Sequence, residues 1–148
     1  MLRWVFASLH LLALPLGLGA VWARSRALRR ARGAGDLQAV FVADNLWGLA
    51  ALIWIVTGLV RVFGGLEKGA TYYLHDRVFY AKMGLLVVIL MLELQPMTTL
   101  IRWRIGLRRG APITLTAAAA LARISAVQAG LVVLMVFAAT ALARGFFF

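Results

Sequence analysis

Cysteine is absent from the sequence. Without thiolates there is no disulfide, no thiolate zinc site, no iron–sulfur cluster and no covalently attached haem. Histidine is nearly as scarce: His10 and His75 are the only imidazoles available as ligands. Acidic residues number 5 against 16 Lys and Arg, for a net charge of +11. No phosphate loop, Gly-x-Ser-x-Gly or His-Glu-x-x-His motif is present, so the common soluble-enzyme chemistries have no anchor. The glycine-containing stretch at 64–69 follows no strand and offers no dinucleotide-binding context.

What the sequence has in excess is hydrocarbon. It is 64% hydrophobic with a mean hydropathy of +0.91, where an ordinary soluble domain is roughly 45–50% apolar. At about 20 residues per span, 148 residues hold four membrane helices and short loops, with no soluble domain beside them. The pattern predicts an all-α integral membrane four-helix bundle, a single domain over 1–148 with helices at 2–22, 37–63, 77–100 and 114–143. The first segment is Leu-rich and interrupted by Pro15, Gly17 and Gly19. It is long for a signal-peptide core, no Ala-x-Ala site follows and arginines come next, so a retained helix is expected. Pro15 removes a backbone donor and predicts a kink.

The arginines fall between apolar segments. Arg24, Arg26, Arg29, Arg30 and Arg32 follow the first, and Arg102, Arg104, Arg108 and Arg109 follow the third. The second loop carries Lys68 and Arg77. The positive-inside bias puts the basic loops in the cytoplasm and both termini in the periplasm of a bacterial inner membrane. It also accounts for the net charge through anionic lipid at the cytoplasmic face, with no nucleic acid partner. Tyr72-Tyr73 and the terminal Phe146-Phe147-Phe148 suit interfacial anchoring, and Asp36 suits a cap on the second helix. On that helix Asp44, Gly48, Ala51, Ile55 and Gly58 follow a seven-residue rhythm, a stripe that permits close helix approach. Trp47 and Trp54 lie off the stripe, facing lipid or filling gaps between helices.

Ionisable groups inside a span are costly and either pair or function. On the third helix Lys82 and Glu93 share a face about three turns apart, at ~16 Å, too far to pair with each other. Depth-matching joins His10 to Lys82 in the outer half, with His75 and Tyr80 at the mouth. It joins Asp44, Glu93 and Arg123 in the inner half, with Asn45, Gln95 and Gln128 near. The inner set reads as a structural charge cluster fixing helices two to four, or alternatively as a proton relay. In the outer pair, Lys82 snorkels and His10 makes one interhelical hydrogen bond, or His10 is an axial or metal ligand with Lys82 as second ligand or anion partner.

Ser8-Leu9-His10-Leu11-Leu12-Ala13, Ala43-Asp44-Asn45-Leu46-Trp47-Gly48, Gly65-Leu66-Glu67-Lys68-Gly69 with Tyr72-Tyr73, and Ala81-Lys82-Met83-Gly84 with Leu92-Glu93 resemble a bacterial membrane family of unassigned activity, domain of unknown function 2214. The resemblance spans essentially the whole chain. More distantly, the chain resembles the group holding the copper-resistance D proteins and the HemJ-type protoporphyrinogen oxidases. The HemJ resemblance implies bound haem b at a first-helix histidine and a later-helix lysine, matched here by His10 and Lys82, with Arg24 a looser match. Five methionines and two histidines do not suit a dedicated copper site.

Three functions follow as expectations. The first is a haem-b-binding redox-type protein with His10 and Lys82 at an outer-half site. The second is a non-enzymatic accessory or scaffold subunit of a larger membrane complex. The third is a small proton or ion transporter, which four helices could form only as a homo-oligomer.

Overall fold

The computed structural model describes residues 1–64 and 77–144. Its helices are α1 (Leu2–Arg30), α2 (Leu37–Phe63), α3 (Arg77–Arg108) and α4 (Ala118–Arg144), with a 3-10 turn at Ala34–Asp36. All four helices are long and apolar enough to cross a membrane. Among the described residues there is no strand. The all-α four-helix architecture expected from the sequence is therefore present. The Tyr72-Tyr73, His75 and Phe146–148 expectations lie outside the described residues.

α2 occupies the expected span. α1 and α3 each run eight residues past their expected ends, to Arg30 and Arg108 instead of 22 and 100. The extension has a local cause: from Ala23 to Arg30 the sequence is Ala, Arg, Ser and Leu, which are mostly strong helix formers and contain no breaker. Arginines expected in loops are thus on helices. Pro15 and Pro96 lie within continuous helix. α3 stops at Gly110, whose φ of 66° suits glycine. There Ala111 N–H reaches back to the Gly106 carbonyl at 3.0 Å, the long closing bond of a helix terminus. Asp36 does not cap α2 as expected. Its carboxylate turns back and accepts from the amides of Arg32 and Gly33 at 2.8 and 3.2 Å.

Backbone packing joins α2 to α1, α1 to α4, and α4 to α3, while α2 and α3 scarcely approach each other. The helices form an arc, and the seam between α2 and α3 is bridged by side chains. The stripe of small residues on α2 faces that seam. A Cβ on Gly48 would meet nothing within 4 Å, so close approach is not its use there. Close approach occurs instead at Gly17 of α1, where a Cβ would stand 3.4 Å from Ala50 and Trp47 of α2.

Two apolar layers fill the arc. One gathers Leu28, Leu37, Val40, Leu100, Trp103 and Leu121. The other gathers Val21, Trp47, Ile89, Ala129, Val132 and Met135. Between these two layers every helix contributes a polar side chain: Arg24, Asp44, Glu93, and Ser125 with Gln128.

Candidate functional site: a buried charge cluster and an outer pocket

The polar layer centres on Arg24 of α1, whose side chain is 0% exposed. A guanidinium carries five N–H donors, and each one here meets an acceptor. Nε donates to Ser125 Oγ at 3.0 Å. Nη1 donates to Asp44 Oδ1 at 2.8 Å and Glu93 Oε1 at 2.7 Å. Nη2 donates to Glu93 Oε2 and Gln128 Oε1, both at 2.8 Å. The Arg24–Glu93 contact is a two-pronged fork, the strongest geometry a guanidinium offers a carboxylate.

The acceptors are themselves held. Glu93 Oε2 also accepts from Trp47 Nε1 at 3.0 Å and Gln128 Nε2 at 2.8 Å. Asp44 Oδ2 accepts from Arg104 Nη2 at 2.8 Å, and the same nitrogen donates to Asn45 at 3.0 Å. Arg104 lies over the Phe41 ring, 4.9 Å from its centre. Two carboxylates thus face two guanidiniums, and the cluster is neutral as a whole. α1 supplies Arg24, α2 Asp44 and Trp47, α3 Glu93 and Arg104, and α4 Ser125 and Gln128.

The sequence reading placed Asp44 and Glu93 in this cluster, and the structure brings them together. It also placed Arg123 there, and that placement is corrected. Arg123 is exposed. Each residue turns the helix by about 100°, so Arg123 lies on the far side of α4 from Ser125 and Gln128. Arg24 takes its place. Arg24 was expected as a cofactor ligand, but all of its donors are committed to protein, and it lies about 14 residues, or ~21 Å, along α1 from His10. Its geometry does not fit a role at the outer site. A signal for it existed: His10, Ala13, Gly17, Ala20 or Val21, Arg24 and Leu28 lie on the buried stripe of α1, spaced by three and four residues. Extending that stripe past Trp22 reaches Arg24. Gln95, expected nearby, is exposed, while Asn45 joins through Arg104.

The outer site gathers His10 and Lys82 as expected from their depth. Both line one cavity of about 310 Å³ together with Trp54, Gly58, Phe79 and Met83. His10 is buried and stacks on Trp54 with ring centres 5.3 Å apart and planes 15° apart. Lys82 Nζ lies 5.5 Å from the centre of the same indole. A Cβ on Gly58 would stand 3.1 Å from His10 Cε1, so glycine lets the imidazole seat against α2.

The network fixes the His10 tautomer. Nδ1 lies 2.9 Å from Thr57 Oγ1 and 3.0 Å from the Trp54 carbonyl. The Thr57 hydroxyl spends its proton on the Ile53 carbonyl at 2.6 Å, so its oxygen accepts from His10. Both neighbours being acceptors, Nδ1 carries a proton and donates to them. Among the described residues no group of three His, Asp or Glu side chains converges as a metal-ligand set around His10 or elsewhere.

The chain belongs to the family described as Predicted membrane protein (DUF2214), which matches residues 2–146. No curated protein and no solved structure matches it.

Proposed function

We propose that this membrane protein is a haem-b-binding, redox-type protein of the bacterial inner membrane, in which His10 would hold the haem iron. The observation that carries the reading is the pinned imidazole. An axial or metal-bound histidine characteristically donates its other ring N–H to a carbonyl, which fixes ring orientation and raises basicity. His10 does this through Nδ1 toward the Trp54 carbonyl and Thr57. The rest of the pocket suits a flat apolar group: it is walled by Phe79, Met83, Ile55 and Leu86, with Lys82 as the nearby cation. Lys82 would act as second ligand or as partner to an acidic substituent. Haem bound there would supply one-electron chemistry; the chain's own residues orient the ligand nitrogen, exclude water and provide one positive charge. This reading keeps the roles that the HemJ resemblance implies for His10 and Lys82 and drops the one it implies for Arg24.

The Arg24 cluster serves this site as a clasp. Its charges are matched and every Arg24 donor is filled, a state that favours fixed geometry over proton transfer. The arginine-bearing ends, including Arg29, Arg30, Arg108 and Arg109, would lie at the cytoplasmic face against anionic lipid. Both termini are then periplasmic, and the His10–Lys82 pocket lies in the outer half.

The test is an absorption spectrum. Protein purified from haem-sufficient cells should show a Soret band that His10→Ala abolishes. A colourless protein, or a band indifferent to His10→Ala, overturns the reading.

A further inference from the structure

A cavity of about 210 Å³ opens on the surface of the arginine-bearing end of α1, lined by Trp22, Ser25, Arg26, Arg29 and Arg30. Residues three and four apart are neighbours on a helix, so Trp22, Arg26, Arg29 and Arg30 share one face. All four are exposed. Helical side chains lean toward the helix N-terminus, which carries Arg29 and Arg30 back over Arg26 toward Trp22. Ser25 spends its hydroxyl proton on the Ala122 carbonyl at 2.7 Å, leaving the three guanidiniums as the charged donors there.

Like charges at these spacings repel one another on a helix, yet α1 continues through them to Arg30. Among the described residues no carboxylate offsets them. Asp44 and Glu93 are held by Arg24 and Arg104, and Asp36 turns to the amides of Arg32 and Gly33. The balancing anion must come from outside these segments.

We propose that the cavity holds the phosphodiester of an anionic phospholipid, with Arg26, Arg29 and Arg30 donating to its oxygens. The forked donors of a guanidinium match phosphate oxygens in pairs. Depth selects a lipid phosphate over a free one. Trp22 is about 20 residues, or ~30 Å, from the start of α1, which is the thickness of a hydrocarbon core. Arg26, Arg29 and Arg30 lie ~6–12 Å farther along the axis, and their lean returns the guanidiniums to a headgroup layer ~5–8 Å deep. Trp22 is 52% exposed and stands where indoles collect at a membrane interface. Its ring offers an apolar wall to the glycerol and ester region, which free phosphate lacks. The inference deepens the reading of the arginine-bearing ends given above, by assigning one bound lipid to one helix face. It needs neither haem nor a particular orientation of the bundle.

The test is native mass spectrometry of the full chain from detergent micelles titrated with phosphatidylglycerol or phosphatidylcholine. Wild-type protein should retain one phosphatidylglycerol saturably and select it over phosphatidylcholine. Arg26→Gln/Arg30→Gln should weaken retention more than about tenfold. Both positions are exposed, so the melting temperature of the lipid-free protein should hold. Arg108→Gln/Arg109→Gln removes the same charge at the end of α3 and should leave retention at the wild-type level. Trp22→Ala removes no charge and should still weaken retention several-fold. Unchanged retention in Arg26→Gln/Arg30→Gln, or equal weakening by the two arginine pairs, overturns the site while leaving the lipid-facing reading of the ends intact. No selection of phosphatidylglycerol over phosphatidylcholine overturns both. Displacement of the lipid by millimolar inorganic phosphate, or retention indifferent to Trp22→Ala, assigns the arginines to a free anion and overturns the lipid.

Discussion

Arg24 and Glu93 meet through two parallel hydrogen bonds of 2.7 and 2.8 Å, although the arginine is on the first helix and the glutamate on the third. The pair is enclosed by apolar layers on both sides. Breaking a buried pair from one side leaves the other charge unmatched, which costs about 3–5 kcal/mol. Glu93→Gln should therefore lower unfolding stability by about that amount, measured by steric-trap or denaturant unfolding in micelles. Arg24→Lys should cost a similar amount, since one ammonium cannot meet acceptors on three other helices. A loss below about 1 kcal/mol for both would show that the cluster is not a clasp.

Arg104 bonds the same Asp44 from a more open position, with a side chain 30% exposed. Solvent screens such a pair, and exposed ion pairs contribute only about 0–1 kcal/mol. Arg104→Ala should accordingly destabilise far less than Arg24→Ala in the same unfolding assay. Equal losses would contradict the order of burial.

Thr57 sets the orientation of His10 without facing the cavity itself. Thr57→Val keeps the shape and removes the hydroxyl, leaving the Trp54 carbonyl as the remaining acceptor for Nδ1. Outer-shell partners of this kind typically change ligand affinity by about 10–100-fold. If haem binds at His10, Thr57→Val should weaken it within that range, read by haem titration, with a shifted Soret maximum. An unaltered spectrum and affinity would remove Thr57 from the site.

Gly58→Ala places a methyl 3.1 Å from His10 Cε1. The ring must yield by a few tenths of an ångström. A stability loss of about 1 kcal/mol, at the lower end for overpacking, should accompany a changed His10 ring-proton shift by NMR. No change in that resonance would mean that the imidazole does not seat on α2.

The legible part of the fold was the part that hydropathy governs. α2 is apolar along its length and flanked by breakers, and its span is 37–63 in sequence and structure alike. For α1 and α3, hydropathy marks the stretch fit for lipid, while the helices go on through arginines that have good helix propensity. That difference hid Arg24, which sits beyond the apolar run but still on its buried stripe. Lys82 and His10 were legible as a pair because each is an isolated ionisable group whose depth follows from counting residues. Trp54 was not. Its contacts with His10 and Lys82 arise only from how the helices pack, and no spacing pattern encodes that.

The seam between α2 and α3 has a consequence for assembly. The chain crosses from one helix to the other there, yet those helices are not backbone neighbours. The protein is therefore two helical hairpins, 1–64 and 77–144, mated along the α1–α4 contact and locked by Arg24. Separating the hairpins would break the Arg24–Glu93 fork: Arg24 would keep Asp44 in the first, and Glu93 would keep Gln128 in the second. Two polypeptides divided between residues 64 and 77 should then insert separately and find each other in the bilayer, with recognition carried by the fork between Arg24 and Glu93.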